Sequence, residues 1–218
     1  MYIRIVLSIS IFFHLYIILL LTLLITLLTL FPLLLLLLLL LGQVQRIVSC
    51  GGCDLLSHSL RTHSGCDDIV VWACRTLCHC ILTLDAINTQ DRSACQDKLA
   101  QQQVLEILIS SFSERLNTIQ KLVAQWSLRT IGCLARRHER NMGLFVEMGI
   151  CELLQSVQQR FSLEDEKIAE SICWVIGNIS FPLPEAQTRW GGCGACAVVL
   201  TSLRKHINSE ETVQGRCL

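Results

Sequence analysis

Along the second half of the chain, apolar residues recur every three or four positions. Leu122, Trp126, Ile131 and Leu134, with Arg129 among them, follow a polar turn at Glu114 to Gln120. That spacing marks one face of an α-helix, and the two-residue alternation of strands is nowhere sustained. Breakers set the ends: Gly149 and Gly194 open helices, and Phe181-Pro182-Leu183-Pro184 stops the helix that carries Trp174. The stretch Asp85 to Gln103, rich in Asn, Gln, Asp and Ser, reads as a lengthened loop. Residues 5 to 41 differ from all of this: they form an apolar run dominated by leucine, without Asp, Glu, Lys or Arg.

The helical pattern repeats. Ile131-Gly132-Cys133-Leu134-Ala135 returns as Ile176-Gly177-Asn178-Ile179-Ser180, and Gly149-Ile150-Cys151 as Gly194-Ala195-Cys196, both 45 residues later. Trp72-Ala73-Cys74-Arg75-Thr76-Leu77 matches Trp126-Ser127-Leu128-Arg129-Thr130-Ile131 at a separation of 54. The additional residues are assigned to the expected loop at Asp85 to Gln103. Cys53-Asp54-Leu55-Leu56, Val104-Leu105-Glu106-Ile107-Leu108 and Cys151-Glu152-Leu153-Leu154 also correspond, so related helices start near 52, 103, 149 and 194. A period of this length marks stacked helical units, each burying its apolar face against the next.

Glu139-Arg140-Asn141, Phe145-Val146-Glu147-Met148-Gly149-Ile150, Leu153-Leu154 and Ile172-Cys173-Trp174-Val175-Ile176-Gly177-Asn178-Ile179 together resemble one armadillo repeat and the start of the next. The similarity extends over about residues 50 to 218. It implies an all-α, right-handed solenoid of about four partial or complete repeats, with the third helix of each unit lining a concave groove for extended peptides. The first units depart from the pattern, with Cys78 where Gly132 and Gly177 stand. The chain also stops at Leu218 where another third helix is due, so the repeat domain is expected to be truncated at its C-terminus, without the polar cap a solenoid needs.

Charge narrows the partners. Arg4 is the one basic residue before Arg46, leaving seventeen basic against eighteen acidic side chains beyond it. A nearly neutral domain lacks the basic face that phosphate backbones require, so no nucleic acid is expected. All thirteen cysteines lie after Gly42. An odd number scattered through helices argues against a secreted disulfide framework and for reduced thiols in a cytosolic or nuclear compartment.

The apolar run exceeds the roughly 20 residues that span a bilayer core. Pro32 divides it, and the nine leucines from Leu33 to Leu41 are too few for a second span, so one transmembrane helix at roughly 10 to 30 is expected. The domain division is therefore a hydrophobic N-terminal helix in 1–42 and a repeat domain in 43–218. This predicts a single-pass membrane protein with the repeats in the cytosol, or a cytoplasmic or nuclear protein if residues 1–41 are not translated.

Aligned third helices put Arg75, Arg129 and Trp174 in one slot and His79, Cys133 and Asn178 in another, four residues later on the same helix face. These six residues are the expected binding groove. In armadillo proteins that bind extended segments, a Trp and an Asn spaced like Trp174 and Asn178 meet the ligand, the amide pairing with its backbone; arginines beside them suit acidic ligands. Trp72 and Trp126, three residues before Arg75 and Arg129, either extend the same face or pack inward, and are assigned to the core. The expected function is a non-enzymatic scaffold for an extended protein segment, with no cofactor and no small-molecule substrate. Two other readings stay open: a divergent nuclear-import adaptor of the importin-alpha type that takes basic peptides, and a zinc protein or enzyme using Cys50, Cys53, His58, His63, Cys66, Cys193 and Cys196. The repeat already accounts for Cys53 and Cys196 as small residues in or beside the slot of Cys151, and Cys78-His79-Cys80 cannot form a directed catalytic pair along one helix. No metal site and no catalytic residue is assigned.

Overall fold

The computed structural model describes residues 42–162, 165–180 and 184–192, with isolated positions up to 204. After a helical stretch at 42–49 come α1 (Gly52–Thr62), α2 (Asp67–Ile87), α3 (Thr89–Gln101), α4 (Val104–Arg115), α5 (Lys121–Ala135), α6 (Glu139–Glu147), α7 (Ile150–Val157), α8 (Glu166–Ser180) and α9 (Pro184–Gly192). A five-residue π-helical turn, Gln158–Ser162, follows α7. The described residues contain no strand, and from Arg46 onward the chain forms one compact unit. The expected span at 10 to 30 and the chain end after 204 lie outside the described residues.

The helices recur in a fixed cycle. α1, α4 and α7 are equivalent, and each is entered through a residue with positive φ: Gly51 (84°), Gln103 (61°) and Gly149 (81°); Gly194 (76°) stands at the fourth such corner. Glycine pays no Cβ penalty in the left-handed region, which explains three of the four corners. Gln103 makes the same turn without that freedom. Side-chain caps open other helices: Asn88 accepts from the Gln90 N–H at 2.9 Å ahead of α3, and Asp165 accepts from Lys167 (3.0 Å) and Ile168 (3.3 Å) ahead of α8. α9 begins on Pro184, whose fixed φ suits a first helical position.

The expected loop at Asp85 to Gln103 is not a loop. α2 continues to Ile87 and α3 covers Thr89–Gln101, so the longer first repeat is accommodated by longer helices. α2 has 21 residues against 15 in α5 and α8, and α3 has 13 against 9 in α6. Composition misled because polar side chains are buried here with partners. Arg92, Cys95, Gln96 and Leu99 form the inward face of α3, and the two N–H groups of the Gln96 amide are shared among the carbonyls of Cys133 (2.8 Å), Leu134 (3.2 Å) and Arg136 (3.0 Å). It thereby caps the C-terminus of α5, whose last carbonyls have no partner within the helix.

The added turns of α2 carry Asp85, which gathers Arg92, Arg136 and Arg137. Burial raises the Asp85 carboxyl, but hydrogen bonds from Arg136 and Arg92 outweigh this and hold it below its ordinary range. Among the described residues α2 is also the one helix long and apolar enough to cross a membrane. Its apolar side is filled by Val70, Ala73, Cys74, Leu77, Cys78, Ile81 and Leu84, which are buried within the solenoid against neighbouring helices.

Candidate functional site

The third helices α2, α5 and α8 pack side by side as one layer, and their seams are made differently. Between α2 and α5 the packing is of small groups. The Thr130 hydroxyl has the Trp126 (2.8 Å) and Cys74 (3.1 Å) carbonyls as alternative acceptors for its one hydrogen and lies 3.2 Å from the Cys78 sulfur, and Ser127 faces Cys74. Burial pushes the Cys74 thiol up to about 12 and the Cys80 thiol up to about 11, so both are neutral and unreactive at physiological pH.

Between α5 and α8 a large ring fills the seam. A Cβ on Gly132 would run into the Trp174 indole, so the glycine is the space that ring occupies. The Arg136 guanidinium covers Trp174 at 5.2 Å and its Nε pairs with Asp85 at 2.9 Å. In the preceding pair, Arg129 holds the slot of Trp174 and Cys78 that of Gly132, and the Arg129 charge is near enough to act on the Cys78 thiol. Cys78, which stands where the glycine is absent in the first repeat, meets the small side chains of Thr130 and Cys133.

On the outward side of the layer, Trp72, Arg75, His79 and Leu82 form one stripe of α2 and Leu122, Trp126 and Arg129 one stripe of α5. The expectation that Trp72 and Trp126 pack in the core fails: Trp72 is 62% exposed and Trp126 half-buried. Arg75 lies between them, its guanidinium carbon 5.2 Å from the Trp72 ring centre and 5.5 Å from that of Trp126. Arg129 approaches the same Trp126 ring at 5.6 Å, and the His79 ring is tilted against it at 6.4 Å. The quadrupole of an indole attracts a cation over its face, so the two rings hold Arg75 in place.

Of the six groove residues expected, Arg75, His79 and Arg129 share this face. Cys133 does not: it is 1% exposed, turned into the α2–α5 seam beside Cys78. Its counterpart Asn178 on α8 is half-buried, whereas Cys133 sits on the central helix, packed by α2 on one side and α8 on the other. Trp174 and Asn178 are half-buried; the Asn178 amide donates to the Trp174 carbonyl of its own helix at 2.8 Å. Sequence reasoning chose the core over the surface for Trp72 and Trp126. The signal was their spacing of three from Arg75 and Arg129, which places each pair on one helix face.

Among the described residues no three His, Cys, Asp or Glu side chains converge as metal ligands. Cys53 is buried with its sulfur 3.5 Å from that of Cys95, while Cys50 and Cys66 are exposed.

No family model and no curated protein sequence matches this chain. Its structure is similar to that of a designed armadillo repeat protein, YIII(Dq.V1)4CPAF in complex with peptide (KR)4, with a TM-score of 0.61 and 17% identity. The match covers 80% of this chain and 65% of the designed one, so the chain spans just under two thirds of that protein. The helical cycle, the recurring left-handed corners and this similarity together give one result: the chain folds as an armadillo-like helical solenoid.

Proposed function

We propose that the protein is a non-enzymatic scaffold that binds an extended protein segment along the outward face of α2, α5 and α8. The observation that carries this reading is the row of Trp72, Arg75, Trp126 and Arg129, with His79 beside it: large aromatic rings left at the surface of a layer whose opposite side is well packed. Aromatic rings and arginines are the residues most enriched where protein partners bind. The designed protein of similar fold is in complex with a peptide, which supports a peptide as the kind of partner.

A basic ligand, the alternative of an import adaptor, is disfavoured by the same row. The indole faces that would receive a ligand cation are already occupied by Arg75 and Arg129, and a second cation would meet their repulsion. The hydrophobic block at 5 to 41 supports anchoring of this scaffold to a membrane through one helix, with the domain division at 42/43. Retention of the full-length chain in the pellet after alkaline carbonate extraction tests the anchor; release into the supernatant would refute it.

The docking face is tested by cross-linking in cells with the full-length chain beside an Arg75→Ala, Trp126→Ala, Arg129→Ala variant of equal helicity. The expected result is a set of cross-linked partners that the variant loses. An unchanged set would move the binding surface elsewhere.

A further inference from the structure

Arg75 differs from every other well-placed arginine of this layer. Arg129 is 28% exposed and lies 3.4 Å from Glu170; Arg136 is paired with Asp85. Arg75 is exposed, and among the described residues its contacts are the Trp72 and Trp126 rings, with no carboxylate and no carbonyl at its N–H groups. The rings meet the charge but offer no acceptor to its five donors. Asp68, the acidic residue on the same stripe, sits two helical turns away, about 10 Å along the axis.

A guanidinium held between two rings has lost much of its freedom before any ligand arrives, and its weakly hydrated surface lowers the cost of replacing water at its edge. What such a group binds best is a pair of oxygens that accept parallel hydrogen bonds. His79 stands one turn further along α2, against the same Trp126, and adds a second donor. Leu82 on α2 and Leu122 on α5 are both exposed and give apolar contact to either side.

Resting on the docking face proposed above, we propose that Arg75, fixed by Trp72 and Trp126 and assisted by His79, is a subsite for an oxyanionic side chain, carboxylate or phosphoryl, of the extended segment. Arg75 reads the anion, while Trp72 and Trp126 position it. The segment therefore carries an acidic or phosphorylated residue among apolar ones.

The test is fluorescence anisotropy of the full-length chain, dispersed in non-ionic detergent, with labelled peptides Ser-Gly-Leu-X-Val-X-Leu-Ser-Gly-Ser in which X is Glu, phosphoserine, Gln or Lys. At least one of the Glu and phosphoserine peptides should bind about tenfold or more tightly than the Gln peptide, the range of a charge-assisted hydrogen bond. Tighter binding of phosphoserine than of Glu assigns a phosphoryl ligand; the reverse, or equality, assigns a carboxylate. Arg75→Gln should abolish the preference, and Arg75→Lys should keep only part of it, because an ammonium retains the charge but not the planar fork. Equal binding of the Glu, phosphoserine, Gln and Lys peptides, or an Arg75→Gln variant that still discriminates, would overturn the subsite while leaving the docking face intact. Failure of all four peptides to bind would overturn the subsite as well, and loss of the cross-linked partners remains the separate criterion for the face.

Discussion

The α2–α5 and α5–α8 seams are built from the same slots of the same repeat, and they use their cations in opposite ways. At α5–α8, Arg136 and Arg129 are turned to internal work: one covers Trp174 and pairs with Asp85, the other pairs with Glu170. At α2–α5 thiols and hydroxyls of similar size fill the middle of the seam, the Asp85–Arg136 pair closes its end, and Arg75 is left on the surface between two rings. A residue type alone therefore does not mark a binding position. What separates the two cases is whether an acidic partner from the chain already occupies the arginine.

The largest effect should come from the neutralised side of this comparison. Asp85→Asn leaves Arg92 and Arg136 without their carboxylate where both partners are largely buried, and should cost about 3 kcal/mol in chemical unfolding followed by circular dichroism. Acid should reproduce part of it. The Asp85 carboxyl is depressed in the folded state, so its contribution is complete above the unfolded carboxyl range and is lost as pH falls through the folded value. The gap in melting temperature between wild type and Asp85→Asn should accordingly narrow below about pH 4. A gap independent of pH would remove the carboxylate from the account.

Next in size, Gly132→Ala should destabilise by about 1–2 kcal/mol and shift tryptophan emission, because the Trp174 ring must leave its place over the glycine. Its counterpart Cys78→Ala removes one sulfur atom beside Thr130 and should cost less, about 1 kcal/mol, without a spectral change of that size. Equal costs and equal spectra for the two would mean that the seams are not packed differently.

A smaller gain is expected at the corners. Gln103→Gly should raise stability by about 0.5 kcal/mol, the relief of the left-handed backbone being partly offset by a freer unfolded chain. A loss would show that the Gln103 side chain, not its backbone, is what that corner needs. The smallest effect belongs to the surface: Arg75→Gln should change unfolding stability by less than about 0.5 kcal/mol. A loss of 2 kcal/mol or more would make Arg75 a structural residue like Arg136 and erase the contrast between the seams.

Much of the architecture was legible in the residues. The 45-residue recurrence of Ile131-Gly132-Cys133 as Ile176-Gly177-Asn178, and the glycines at 149 and 194, announced the cycle of helices and where two of them open. Such features are local: a helix face needs only its own spacing, and a positive φ only its own residue. The α3 region was misread for the complementary reason. Arg92 and Gln96 look like loop residues until Asp85 and the end of α5 are brought to them, and those lie far away along the chain.

By itself the sequence determined that the chain is helical, where its repeats begin, and which positions of each third helix share a face, because these follow from short-range periodicity and backbone sterics. Only the tertiary structure decided which residues of that face remain at the surface. Cys133 and His79 hold equivalent slots, yet one is buried in a seam and the other exposed; Trp72 and Trp174 are the same residue type, yet one lies open beside Arg75 and the other is pressed against Gly132. Exposure depends on how closely the neighbouring helix approaches, and that distance is set by the volumes of side chains some fifty residues apart in sequence, which no local pattern records.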